Sequence, residues 1–68
     1  MALSARNVLK GKIKHIKKGP VMAEITVEVA SGVDVVSVIT ANSTDRLELA
    51  VGKQVEIVIK ATSVMINV

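Results

Sequence analysis

Two short runs of hydrogen-bond donors lie near opposite ends of this chain: Ser4-Ala5-Arg6-Asn7 and Lys60-Ala61-Thr62-Ser63. Both are small and polar, and neither holds a carboxylate. Hydroxyls, amides and a cation gathered without an acid make a pocket for an anion, whereas a metal cation needs carboxylate, imidazole or thiolate ligands. Thr40 and Ser43 form a third such group at the expected start of a helix. Free N–H groups and the dipole favour negative charge there.

Each group also has a plainer reading. The first is a chain terminus leading into a strand, the second a corner between two strands, and the third a helix cap. What joins them is the absence of acid within all three.

Catalytic chemistry finds no support. His15 is the only histidine and sits among lysines, with no Asp or Glu adjacent in sequence to orient it. There is no spacing of a nucleophilic triad, no pair of carboxylates in separate environments and no cofactor fingerprint. Gly11-Lys12 and Gly52-Lys53 lack the rest of a phosphate-binding loop. Cys is absent, which removes disulfides and thiolate metal sites together. The residues describe a binding protein and not an enzyme.

Five of the nine basic residues fall between Lys10 and Lys18, and the formal net charge is +3. Such a stripe raises an alternative, a module that binds single-stranded nucleic acid. Proteins of that kind stack bases on aromatic rings, worth about 1–3 kcal/mol per base. This sequence has no Phe, Tyr or Trp. A solvated lysine face opposite Glu24 and Glu28 is the plainer account.

The elements that must position these groups are strands. In residues 7–16, Leu9, Gly11 and Ile13 alternate with Lys10, Lys12 and Lys14, a two-residue period. Gly19-Pro20 breaks the run. Val21, Ala23, Ile25, Val27 and Val29 then alternate with polar neighbours in a second strand, and the Lys and Glu faces of this hairpin can pair. Ser31-Gly32 turns the chain into a third strand, residues 33–40, apolar on both faces through Val33, Val35 and Ile39 on one and Val36 and Val38 on the other. A strand covered on both sides implies a neighbouring subunit. Thr40 caps a helix over 41–49, with Leu47 and Leu49 turned inward. Val51-Gly52-Lys53 is a turn, residues 54–60 a fourth strand with Val55, Ile57 and Ile59 inward, and 64–68 a short fifth. Three strands, a short helix and two more strands is the order of an all-β, five-stranded OB-like Greek-key barrel.

At 68 residues the chain is one domain, 1–68. A domain this small buries only about 60% of its unfolded surface, and such folds are reinforced by disulfides, a metal or oligomerisation. With the first two removed, oligomerisation remains. Half the residues are hydrophobic, and the excess of Val and Ile is expected at a subunit interface. No run has the length of a membrane helix or the apolar core of a secretory signal, which makes a soluble cytoplasmic protein the default.

These motifs together resemble those of the Mop family, the molbindins or molybdenum-pterin-binding proteins of the single-domain clostridial type. The likeness is carried by Ser4-Ala5-Arg6-Asn7, Gly11 and Gly19 framing the hairpin, Met22-Ala23-Glu24, Ser37-Val38-Ile39-Thr40 with Ser43, and Lys60-Ala61-Thr62-Ser63-Val64. It covers the whole chain. The resemblance implies a homo-hexamer, a trimer of dimers, that holds molybdate between subunits for molybdenum storage and homeostasis. It assigns the oxyanion to Ser4, Ala5, Arg6, Asn7, Lys60, Ala61 and Thr62, with Thr40 and Ser43. A second kind of site near the threefold axis falls by position on His15, Gly19 and Val21. Where the family often has Ser after Lys-Ala, this chain has Thr62: the hydroxyl stays and a methyl is added.

Elementary chemistry agrees with that ligand. Molybdate at neutral pH carries no proton, so all its oxygens accept. Partly protonated phosphate would leave a donor facing a donor, an unpaired contact costing about 1–3 kcal/mol. Tungstate has the same shape and charge and is expected to bind as a mimic. Molybdopterin is possible but not favoured, since no aromatic ring is present to stack on a pterin. Related domains also occur in molybdate-transport ATPases and molybdate-sensing repressors, so docking onto such a partner stays open.

Overall fold

The computed structural model describes residues 4–68. Three strands follow one another, β1 (Asn7–Lys18), β2 (Met22–Ala30) and β3 (Val33–Thr40). A helix α1 (Ala41–Arg46), a fourth strand β4 (Gln54–Ile59) and one 3-10 turn at Ala61–Ser63 complete the order. The strands form one antiparallel sheet in the order β3-β2-β1-β4. β1 is its spine. Its first half pairs with β4, from Asn7 opposite Ile59 to Lys12 opposite Gln54, and its second half pairs with β2, ending with Lys18 opposite Ala23.

The pairing of β1 with β2 slips between Ile13 and His15, which leaves Lys14 as the extra residue of a β-bulge. A bulge turns the side chains that follow it to the other face. Leu9, Gly11 and Ile13 therefore share a phase that Ile16 continues out of step, and Ile16 joins the core alongside Ile13. The core is Ile13, Ala23, Ile25 and Val27, flanked by Ile16, Val29, Ile39, Leu49, Val55 and Ile57. β1 and β2 approach so closely at Gly11 that a methyl there would lie 2.6 Å from Val27 Cγ1 and 2.7 Å from the Glu28 carbonyl oxygen. Only glycine fits that crossing without displacing backbone.

The all-β architecture with a short helix between the third and fourth strands is as expected, but several finer expectations are corrected. Among the described residues the sheet has four strands, not five, and β3 and β4 do not pair, so it is open and not closed into a barrel. Residues 64–68 lie outside it, because they find no ladder partner within their own chain. β2 begins at Met22, which leaves Val21 exposed. Leu9, expected inward, is also exposed, and β4 ends at Ile59, one residue before Lys60.

α1 stops at Arg46 and not at residue 49, because Glu48 takes a left-handed conformation (φ 54°). The N–H of Glu48 donates to the Asp45 carbonyl at 3.0 Å and that of Leu49 to the Thr44 carbonyl at 3.1 Å. This pair of bonds is a Schellman motif, normally built on glycine. It turns Leu49 onto the core while Leu47 stays exposed, so one leucine and not two closes that end of the sheet. Lys53 Nζ reinforces the turn by donating to the carbonyls of Leu47 and Glu48 at 2.9 and 3.2 Å.

Candidate anion-binding site

The pairing of β1 with β4 brings the two terminal donor runs to one end of the sheet. Asn7 stands opposite Ile59, and its Nδ2 donates to the Ile59 carbonyl at 3.3 Å. Ser4-Ala5-Arg6 therefore enters the sheet where Lys60-Ala61-Thr62 leaves it, although 52 residues separate Asn7 from Ile59. The Asn7 carboxamide has a structural partner and keeps its second N–H. Lys60 is extended (φ −64°, ψ 135°) and opens the 3-10 turn, in which Ser63 N–H donates to the Lys60 carbonyl at 2.9 Å. The N–H groups of Ala61 and Thr62 precede that first bond, so the turn itself offers them no acceptor. No acidic residue lies in this turn. Ser4, Arg6 and residues 60–63 are exposed, whereas Ala5 and Asn7 are half-buried. Within one chain this end presents a cluster of hydrated donors.

Thr40 and Ser43 lie elsewhere. Thr40 pairs with Met22, next to Ala23, which faces Lys18 at the far end of β1. Along β1, at about 3.3 Å per residue, that is on the order of 30 Å from Asn7. Thr40 Oγ1 accepts from Ser43 N–H at 3.0 Å and donates to Ser43 Oγ at 2.8 Å, while Thr44 Oγ1 donates to the Thr40 carbonyl at 3.1 Å. The hydroxyls complete a helix cap. Sequence reading missed the acid beside them: Asp45, on the same helix, pairs with Lys18.

His15, Gly19 and Val21 belong to this far half of the sheet as well. His15 is exposed and opposite Thr26, directly after the bulge. Gly19 N–H closes the hairpin on the Met22 carbonyl at 2.8 Å, and the Val21 carbonyl accepts from Ala41 N–H at 2.7 Å. The lysine stripe is partly neutralised: Lys14 lies 3.2 Å from Asp34 and 3.8 Å from Glu28.

The arrangement of strands and helix has close counterparts. The TOBE domain family matches residues 3–66. Molybdenum-pterin-binding protein 3 of Clostridium pasteurianum is 47% identical over 66 residues, 97% of either chain. A molybdate-binding protein from Sporomusa ovata superposes with a TM-score of 0.92 at 37% identity, covering 98% of both chains. The cytoplasmic molybdate-binding protein ModG, in a form with molybdate bound, superposes with a TM-score of 0.85 at 43% identity over 90% of this chain and 43% of its own. The chain belongs to the TOBE-domain family, in the group of molybdenum-pterin-binding (Mop) proteins. Its likeness to those solved structures extends over nearly its whole length.

Proposed function

We propose that this protein is a non-enzymatic, cytoplasmic molybdate-binding protein that stores molybdenum as the oxyanion and buffers its supply. The observation that carries the reading is the register placing Ser4-Ala5-Arg6 and Lys60-Ala61-Thr62 at one end of the sheet without a carboxylate in either run. The Arg6 guanidinium, Lys60 ammonium, Ser4 and Thr62 hydroxyls and the amides of Ala61 and Thr62 replace the hydration shell of the dianion. Charged donors make the stronger bonds among these. Relatives support the ligand: the Sporomusa ovata protein is a molybdate-binding protein, and ModG has molybdate bound. Tungstate enters the same site.

An anion held by exposed donors competes with water at high dielectric, where each contact is weak. A second copy must cover the cluster, so the protein works as a homo-oligomer, the hexameric trimer of dimers that the family resemblance implies. Thr40 and Ser43 reach this anion only if another copy carries them there. The second group, His15, Gly19 and Val21, would serve a separate site between subunits.

Isothermal titration tests the reading. Molybdate and tungstate are expected to bind alike. Phosphate, which carries a proton, and sulfate, which is unprotonated but smaller, are expected to bind at least tenfold more weakly. Equal heats for all four anions, or no heat with molybdate, would reject a molybdate site.

A further inference from the structure

The ladder between β1 and β4 carries the anion site, and its register is set differently from the others. β1 meets β2 and β2 meets β3 through short turns, the first closed by Gly19 N–H on the Met22 carbonyl and the second holding Gly32 at φ 75°. A hairpin turn fixes the register of its own strands. No turn joins β1 to β4, because β2, β3 and α1 lie between them in the chain. Their ladder, from Asn7 opposite Ile59 to Lys12 opposite Gln54, has to be fixed at its two ends.

At the inner end the backbone does this. Ile13 N–H donates to the Lys53 carbonyl at 3.0 Å, and Gly52 N–H to the Ile13 carbonyl at 2.8 Å. At the outer end stands Asn7, whose Nδ2 donates to the Ile59 carbonyl at 3.3 Å. Among the described residues no other side-chain hydrogen bond links these two strands. Asn7 is half-buried, while its flanking partners Arg6 and Lys60 are exposed.

The residue type suits a clasp. A carbonyl only accepts, so the group facing it must donate. Aspartate would set acceptor against acceptor and add the carboxylate that both donor runs lack. Arg6 precedes the clasped pair and Lys60 follows it. A slip of one residue would carry Lys60 about 3.3 Å along the strand and turn its side chain to the other face.

We infer that Asn7 is a positioning residue for the anion site: its amide clasps the last pair of the β1–β4 ladder and so holds Arg6 and Lys60 at the spacing the oxyanion meets. This assignment rests on the molybdate reading and changes one part of the resemblance, which groups Asn7 with the ligands. Asn7 acts through Ile59 and leaves the anion to Ser4, Arg6, Lys60 and Thr62. Without the clasp, affinity falls in proportion to the fraction of molecules whose strand ends are in register.

Three full-length proteins test it: the parent, Asn7→Ala, and a chain carrying Asn7→Cys with Ile59→Cys, oxidised to a disulfide. Directly opposed strand residues have Cα atoms about 4.5–5.5 Å apart, within the reach of a disulfide, and the chain has no cysteine of its own. By calorimetry Asn7→Ala should bind molybdate about tenfold more weakly, as for an end in register one-tenth of the time. The disulfide restores the tie without restoring a donor, so that protein should bind within about threefold of the parent. An Asn7→Ala affinity equal to the parent's would overturn the inference. So would a disulfide form as weak as Asn7→Ala, which would make the amide a direct ligand, and so would two cysteines that never join within one chain.

A second readout needs no molybdate. Amide hydrogen exchange in anion-free Asn7→Ala should quicken in the ladder beside Asn7, while Ile13 and Ile25 in the core keep the parent's rates. Unchanged rates beside Asn7 would overturn the inference. A parent that binds no molybdate would instead sink the reading of the site, and the exchange result would still decide whether Asn7 holds the strand ends together.

Discussion

The two ends of β1 are finished differently. At the Lys18 end, the polar groups around the helix find partners within the chain. Thr40 caps α1, Thr44 is buried on the Thr40 carbonyl, Asp45 pairs with Lys18, and Ala41 N–H ties the helix to Val21. At the Asn7 end, one side-chain bond joins Asn7 to Ile59, while Ser4, Arg6, Lys60 and Thr62 stand exposed beside an apolar segment whose Met65 and Ile66 are almost fully exposed. A marginal 68-residue fold has little stability to give up. Leaving one end open is understandable if a ligand and another copy complete it. The contrast teaches that substitutions at the closed end and in the core should register as stability, and those at the open end as affinity.

The largest effect is expected in the core that both ends share. Ile13 is 1% exposed and packs beside Val27 and Ile25. Ile13→Ala should lower the unfolding free energy by about 2–5 kcal/mol, read from urea denaturation. A loss below 1 kcal/mol would mean that the single-chain core is not what holds the sheet.

Next comes Lys60→Ala. Its ammonium makes no capping bond within the chain, so unfolding should be unchanged. A charge-assisted bond is worth about 1.5–3 kcal/mol, which corresponds to tenfold to hundredfold weaker molybdate binding by calorimetry. A variant that binds as tightly as the parent would remove Lys60 from the site.

Thr40→Val separates the two ends more sharply. It deletes a cap worth about 1 kcal/mol of stability. Molybdate affinity should stay within twofold, because the Thr40 hydroxyl proton is already donated to Ser43. A tenfold loss of affinity with unchanged stability would show instead that another copy brings this hydroxyl to the anion.

The smallest expected effect is a gain. Glu48 holds a left-handed backbone at φ 54°, which costs a side-chain-bearing residue about 1 kcal/mol that glycine avoids. Glu48→Gly should raise the unfolding midpoint slightly and leave molybdate binding alone. A lowered midpoint would mean that the Glu48 side chain supports the turn.

Much of this was legible in the sequence where periodicity ruled. The alternation of Ala23, Ile25 and Val27 located the buried face of β2, and Val55, Ile57 and Ile59 the inner face of β4. Turn chemistry placed Gly32 and Gly52, both with positive φ. The bulge at Lys14 was not legible, because Lys14 and His15 are polar whichever way they point. Helix length failed at Glu48, since nothing in a glutamate announces a left-handed turn. The segment 64–68 reads as a strand from composition, but composition does not supply the ladder partner that it lacks within its own chain. For the site, the acid-free character of the three groups could be read from residue type alone. Sequence could not reveal that Thr40 and Ser43 lie at the other end of β1 from Asn7, since pairing register decides that. Nor did it expose the pairing of Asp45 with Lys18, which ties the helix to another strand.

Native mass spectrometry of the full chain, with and without molybdate, tests the central claim most directly: that the open end is completed by other copies around an oxyanion. The account predicts a multiple of the 7.2 kDa chain that gains whole molybdates, and gains fewer when Lys60 is replaced by Ala. A 7.2 kDa species that stays alone and unchanged as molybdate is added would contradict it.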